Sequence, residues 1–258
     1  IPASLTSIGI RVFPSSMAEI RVENGNTVYT VVDNCLVEIA TKTLVMGLST
    51  GKIPAGGVVE TIGKYAFAGV SDLTHLQIPD GVMTIDEYAF AGCSGIETLE
   101  LSGTVEVISA HAFDNCTALK KVIIEDGNTT LSLGYNDSSQ GLFYDCPLEE
   151  VYLGRNLSYS SGSSYGYSPF YNKTELTTLT IGDNVTSIGE LAFCLCSSLT
   201  SVTIPNSVTT IGESAFENCS SLQEFNGKFA SEDGRCLIID GTLNYFAPAG
   251  LTEYTIPD

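Results

Sequence analysis

The chain has 258 residues, of which 43% are apolar, enough for a continuous core, and its 11 Lys and Arg stand against 30 Asp and Glu for a formal net charge of -19. That charge repels phosphate backbones and anionic lipid surfaces, so nucleic acid is not an expected partner. No stretch approaches the roughly 18 consecutive apolar residues that a membrane span needs, so no transmembrane segment is expected, and Ile1 is not preceded by a basic and apolar leader.

Taken from the start, Ile1-Pro2 with Leu5-Thr-Ser-Ile8-Gly9 reads as the start of a repeated unit. Residues 20–60 follow as a long, hairpin-bearing unit, because Asp33-Asn34 stands between apolar runs and favours a tight turn. A shorter motif, Ile-Gly-x-x-Ala-Phe, then recurs at Ile62 to Phe67, Ile85 to Phe90, Ile108 to Phe113, Ile188 to Phe193 and Ile211 to Phe216, with looser copies at Phe13, Phe143 and Phe170. Successive phenylalanines from Phe67 are separated by 23, 23, 30, 27, 23 and 23 residues, so the departures are insertions, spanning 126–171, between otherwise intact units. Residues 223–258 form a second hairpin-bearing unit in which Phe229 to Ile238 matches Tyr29 to Val37, and the chain closes on Tyr254-Thr-Ile256-Pro257-Asp258, the beginning of another unit.

Inside a unit the apolar spacing changes. From Phe113 it runs Cys116, Leu119, Val122, Ile124, and from Phe193 it runs Cys196, Leu199, Val202, Ile204. Steps of three suit a helical or 3₁₀ turn with one face inward, and the closing step of two suits a short strand. A second extended piece, Val185 to Ile188 or Val208 to Ile211, follows. Neither piece buries its apolar side alone; stacked units do, with Phe on Phe and Leu on Leu.

The motif Ile-Gly-x-x-Ala-Phe-x-x-Cys-x-x-Leu-x-x-Val-x-Ile-Pro resembles the BspA-type leucine-rich repeats of bacterial surface proteins, and it runs through nearly the whole chain. The fold expected is a leucine-rich-repeat solenoid, β-rich with short helical or 3₁₀ turns and parallel strands stacked one per repeat, forming a single array over 1–258 that is itself a piece of a longer one. The resemblance implies a bacterial, secreted or lipid-anchored protein, the anchor lying outside this segment, that adheres to an extracellular protein or glycan. An architectural spacer displaying some other domain is the competing expectation.

Little in the chain speaks for catalysis. The histidines are His75 and His111 alone, and neither falls in a Ser-His-Asp or Cys-His arrangement. Glu149-Glu150 and Glu125-Asp126 are paired carboxylates, but in so acidic a chain solvated surface is the simpler reading, and no cofactor is implied. Five of the eight cysteines (Cys93, Cys116, Cys146, Cys196, Cys219) stand three residues after the repeat phenylalanine and point inward. A ladder of buried thiols is the favoured reading over disulfides between neighbouring rungs, and zinc has little support because Cys194-x-Cys196 has no nearby histidine. Seven Asn-x-Ser/Thr sequons occur, several of them within the repeat consensus, and in a bacterial chain they carry no glycosylation message.

Strand alternation supplies the candidate binding surface. With Val122 and Ile124 inward, two outward lanes follow, one through His75, Thr98, Lys121, Glu150 and Thr178 and one through Gln77, Glu100, Ile123, Tyr152 and Thr180. The last repeats carry plain Thr and Ser there; Ile123 and Tyr152 break that pattern. Seven of the twelve tyrosines lie between Tyr135 and Tyr171, and the Tyr159-Ser-Ser-Ser-Gly-Ser-Ser-Tyr165-Gly-Tyr167 run mixes rings with small polar residues as binding loops do. Tyr159, Tyr165 and Tyr167 therefore join the candidate set, against the plainer reading that they pack within a longer repeat.

Overall fold

The computed structural model describes residues 1–14, 17–137, 140–160 and 167–255. Each regular unit contributes one tight turn, one four-residue strand and one two-residue strand, and no helix is present among the described residues. The segment spaced by threes is thus a run of turns.

The four-residue strands form one parallel sheet in the order Thr178–Ile181, Glu150–Leu153, Lys121–Ile124, Thr98–Leu101, His75–Ile78, so the chain climbs one strand per unit. The shorter strands, of two or three residues, build a second wall: Thr61–Ile62, Thr84–Ile85, Val107–Ile108, Leu131–Leu133 and Leu157–Ser158 pair in parallel. This wall begins on the antiparallel strands Tyr29–Val32, Cys35–Glu38 and Thr43–Gly47, the last of which pairs in parallel with Thr61–Ile62. Asp33 and Asn34 both adopt left-handed conformations (φ 51° and 60°), as the expected tight turn requires. A second antiparallel pair, Cys236–Ile239 with Thr242–Phe246, repeats the register of the first, bulge included.

The walls break one unit apart, the second after Leu157–Ser158 and the first after Thr178–Ile181. No ladder joins Leu157–Ser158 to Ser187–Ile188; instead Asn156 takes over, its Oδ1 accepting from the Thr186 and Ser187 N–H groups at 2.9 and 3.1 Å and its Nδ2 donating to Thr186 Oγ1 at 2.8 Å. Beyond the breaks, Ser187–Ile188 pairs with Thr210–Ile211 and Ser201–Ile204 with Glu224–Gly227.

Between the walls lies a stack of phenylalanines. Phe67, Phe90, Phe113, Phe143, Phe170, Phe193 and Phe216 follow one another with ring centroids 5.2 to 5.8 Å apart. Offset stacking at these distances adds roughly 0.5–1.5 kcal/mol per pair to the burial itself. All eight cysteines are buried free thiols, and burial pushes Cys93, Cys146 and Cys219 up to about 12. The thiols also bond: Cys93, Cys116, Cys196 and Cys219 donate to the carbonyls of Phe67, Phe90, Phe170 and Phe193 at 3.1 to 3.4 Å, with Cys146 to Phe113 looser at 4.0 Å. The missing rung, Phe143, is served by the buried Lys173, which occupies the cysteine position three residues after Phe170 and whose Nζ also donates to Tyr144 and Cys146 carbonyls at 2.9 and 3.1 Å. A second buried cation, Arg155, donates to the Gly103 and Ser102 carbonyls at 2.9 and 3.0 Å.

Candidate binding surface

Burial alternates along the strands His75–Ile78, Thr98–Leu101, Lys121–Ile124 and Glu150–Leu153, with Leu76, Leu99, Val122 and Val151 inward and essentially inaccessible. Their neighbours face out and align. His75, Thr98, Lys121, Glu150 and Thr178 are register partners in one lane, and Gln77, Glu100, Ile123, Tyr152 and Thr180 in the next. Seven of the sequence candidates, namely His75, Gln77, Glu100, Lys121, Ile123, Glu150 and Tyr152, therefore share one sheet face.

Their mutual geometry organises that face. Lys121 Nζ reaches Glu150 Oε1 at 2.7 Å across one strand spacing, and His75 Nε2 lies 3.8 Å from Glu100 Oε1. Pairs this exposed contribute about 0–1 kcal/mol to folding, so their effect is to hold charges in place around the apolar centre. At that centre Ile123 sits beside Tyr152 in register. Tyr152 donates its hydroxyl to Asp126 Oδ1 at 2.8 Å, and this bond to an ionised carboxylate, followed by partial burial, raises the phenol above its ordinary value. The phenol ring is thereby pinned with part of its face open.

The remaining tyrosines go elsewhere. Tyr159 packs its ring on the core and donates its hydroxyl to the Glu190 carbonyl at 2.9 Å; burial drives its phenol well up. Gly189 makes room for it, because a Cβ there would overlap the Tyr159 hydroxyl. Tyr165 lies outside the described residues. Tyr167 meets Tyr135 edge-on at 5.9 Å.

Tyr167 thereby ends an aromatic lane that sequence reasoning did not find. Tyr65 stacks on Tyr88 at 4.9 Å, Tyr88 on His111 at 4.6 Å, and His111 meets Tyr135 edge-on at 6.1 Å. Tyr65, Tyr88 and His111 all occupy the position before Ala-Phe and all have φ near +60°. His111 also bonds Asp114 Oδ2 through Nδ1 at 2.8 Å, so it is a member of a stacked lane in a polar contact with its own turn. No group of three or more His, Cys, Asp or Glu able to hold a metal ion occurs among the described residues, and no helix among them is long and apolar enough to cross a membrane.

The model of the BspA-type leucine-rich repeat region matches residues 46–169 and 163–231, in six copies. The chain belongs to the BspA-type leucine-rich repeat family. Among solved structures, this BspA-type chain is similar to a leucine-rich repeat protein from Eubacterium ventriosum, at 22% identity and a TM-score of 0.60, over 91% of this chain and 62% of that one. It is also similar to the pneumococcal vaccine antigen PcpA (21% identity, 91% of this chain and 45% of that one, TM-score 0.48). A leucine rich cell surface protein from Faecalibacterium prausnitzii matches at 24% identity over 88% of this chain and 59% of that one, with a TM-score of 0.46. The chain thus spans less than two thirds of the length of each. No curated protein matches it.

Proposed function

We propose that this BspA-type chain is a non-catalytic, extracellular or surface-attached binding module that recognises a protein or glycan through its five-strand sheet face. One observation carries the reading. On a face whose last strand, Thr178–Ile181, presents only Thr, the middle strands present Ile123 and a pinned Tyr152, flanked by the Lys121–Glu150 and His75–Glu100 pairs. A partly open aromatic ring beside an aliphatic one, framed by fixed charges, is how recognition surfaces concentrate binding energy. The names of two similar proteins, a vaccine antigen and a cell surface protein, agree with a surface location.

The test converts the patch to the lane residue found in the later repeats. Labelled chain is screened against matrix proteins and a glycan array beside an Ile123→Thr/Tyr152→Thr double variant. A partner bound at least about tenfold more weakly by the variant supports the reading; a partner bound equally by both removes it. The uniform Thr178, Thr180, Ser201 and Thr203 lanes favour a second reading, a spacer that carries another domain, and this is the outcome if nothing on either panel binds.

A further inference from the structure

The two hairpin units do something to the stack that the regular units do not: they omit a turn. In regular units the turns are stitched to each other by main-chain bonds at alternate residues. Tyr65, Phe67 and Gly69 donate to the carbonyls of Glu87, Ala89 and Ala91 at 3.2, 2.7 and 2.8 Å, and Leu191, Phe193 and Leu195 to those of Glu213, Ala215 and Glu217 at 2.8 to 2.9 Å.

The turn Ile8-Gly9-Ile10-Arg11-Val12-Phe13 copies this motif, and Arg11 is left-handed like Tyr65 (φ 57° and 61°). The unit that follows it is a hairpin, and its Gly47 stands under the Phe67 ring, where a Cβ would overlap that ring. Among the described residues no turn therefore lies between 8–14 and 63–70, and a slot of ≈ 1040 Å³ opens between them, lined also by Thr43, Val45 and Met46.

The slot's walls keep the bonding groups of the absent turn. The Arg11 and Phe13 N–H groups, equivalents of Tyr65 and Phe67, bond no described residue. Opposite, Gly47 N–H satisfies the Ala66 carbonyl at 2.9 Å, while the carbonyls of Lys64 and Ala68 on either side receive nothing from any described residue. Val12 is 58% exposed where its equivalents Ala66 and Ala89 are 2% and 0% exposed, and Ile10 on the same rim is 63% exposed. The second hairpin leaves the same gap: beside it a groove of ≈ 660 Å³ is lined by Ser214, Phe216 and Asn218, whose N–H groups likewise bond no described residue. There Tyr245 plugs part of the gap, its hydroxyl donating to the Gly212 carbonyl and accepting from Ala215 N–H.

We propose that the first slot binds an extended peptide segment of a partner protein, recognised mainly through its main chain. One wall offers only donors and the other only acceptors at alternate-residue ladder positions, the spacing that an inserted extended backbone matches. The Val12 and Ile10 rim takes apolar side chains of the peptide. The Arg11 guanidinium, which lies over the Tyr65 ring at 5.1 Å, pairs with a peptide carboxylate. This site is separate from the sheet face and stands or falls apart from it.

The experiment pans a displayed library of short linear peptides on the whole chain and tests the enriched synthetic peptides by fluorescence polarisation and amide exchange. The expected result is slowed exchange at Arg11 and Phe13, binding at least about tenfold weaker for the backbone N-methylated peptide, and a similar loss in Ala68→Phe, which fills the slot. Should Ala68→Phe fail to fold, the exchange and N-methylation results decide alone. Failure to enrich any peptide overturns the proposal, as does binding that leaves the Arg11 and Phe13 amides unprotected. So does binding that the Ile123→Thr/Tyr152→Thr variant abolishes, which assigns the peptide to the sheet face.

Discussion

Lys173 donates to the carbonyl of Phe143, the acceptor that takes a cysteine thiol at each of the other rungs from Phe67 to Phe193. The substitution changes what the rung does. A thiol reaches one carbonyl, whereas the Lys173 ammonium gathers three, from Phe143, Tyr144 and Cys146, in the turn that leads into Glu150–Leu153.

Removing that ammonium takes a donor from three carbonyls: those of Phe143 and Cys146 keep main-chain donors, Cys146 N–H at 3.0 Å and Leu148 N–H at 2.9 Å, while that of Tyr144 keeps none among the described residues. The unpaired acceptor has a gross cost of roughly 1–3 kcal/mol, offset by no longer burying a charge. Lys173→Ala is expected to destabilise the chain by about 2–4 kcal/mol in urea unfolding, and Lys173→Cys, which restores the ladder's own donor to Phe143, by less. Equal losses for the two would show that the thiol rung contributes nothing at this position.

The thiol ladder sets a pH limit. Burial pushes Cys35, Cys93, Cys146 and Cys219 from 9.0 to about 12. An unfolded thiol begins to ionise near its ordinary value, so between about pH 9 and pH 12 the unfolded chain holds fewer protons than the native one. Stability is therefore complete below pH 9 and falls as pH rises through that window. Unfolding midpoints measured from pH 7 to pH 11 are expected to drop above pH 9, and an all-regular-rung Cys→Ala variant to drop less steeply. At pH 8 the native thiols are expected to alkylate more than about 100-fold more slowly than denatured ones.

How much of this was legible follows from which constraints have a period. The outward lanes were, because alternation by two is written in Val122, Ile124 and their equivalents, and pairing in register then fixes Lys121 beside Glu150. The phenylalanine stack and inward cysteines were legible from fixed spacing. Three features were not. Lys173 stands in the cysteine position just beyond the 126–171 stretch read as inserted, and nothing in a lysine announces that it replaces a thiol. Left-handed backbone at Tyr65, Tyr88 and His111 is imposed by the stacking of turns on residues with no intrinsic preference for it, so the aromatic lane had no local signal. The slot beside the first hairpin depends on Gly47 standing where regular units place a turn, a comparison that becomes visible only once the strands are paired.

The sheet-face variants are expected to be silent in folding. Ile123 and Tyr152 face out, and the Tyr152–Asp126 bond is exposed. Exchanging both for Thr, a good strand former, is expected to shift stability by under about 1 kcal/mol. A thermal midpoint within a few degrees of the parent checks this, and a larger drop would mean that any binding loss reflects the fold.

Tyr159 behaves in the opposite way, although sequence composition placed it beside Tyr152 as a candidate contact. Its ring is packed on the main core and its hydroxyl closes on the Glu190 carbonyl across the break in the second wall, where no strand ladder forms. Tyr159→Phe keeps the ring and loses one bond, for an expected cost of about 0.5–1.5 kcal/mol. Tyr159→Ser empties the site as well and is expected to cost about 3–5 kcal/mol, with faster amide exchange at Ser187 and Ile188 on the far side of the break. Chemical denaturation with exchange at those two amides separates the outcomes: a Ser variant as stable as the parent would place Tyr159 back among surface residues and make it a contact worth testing with Tyr152.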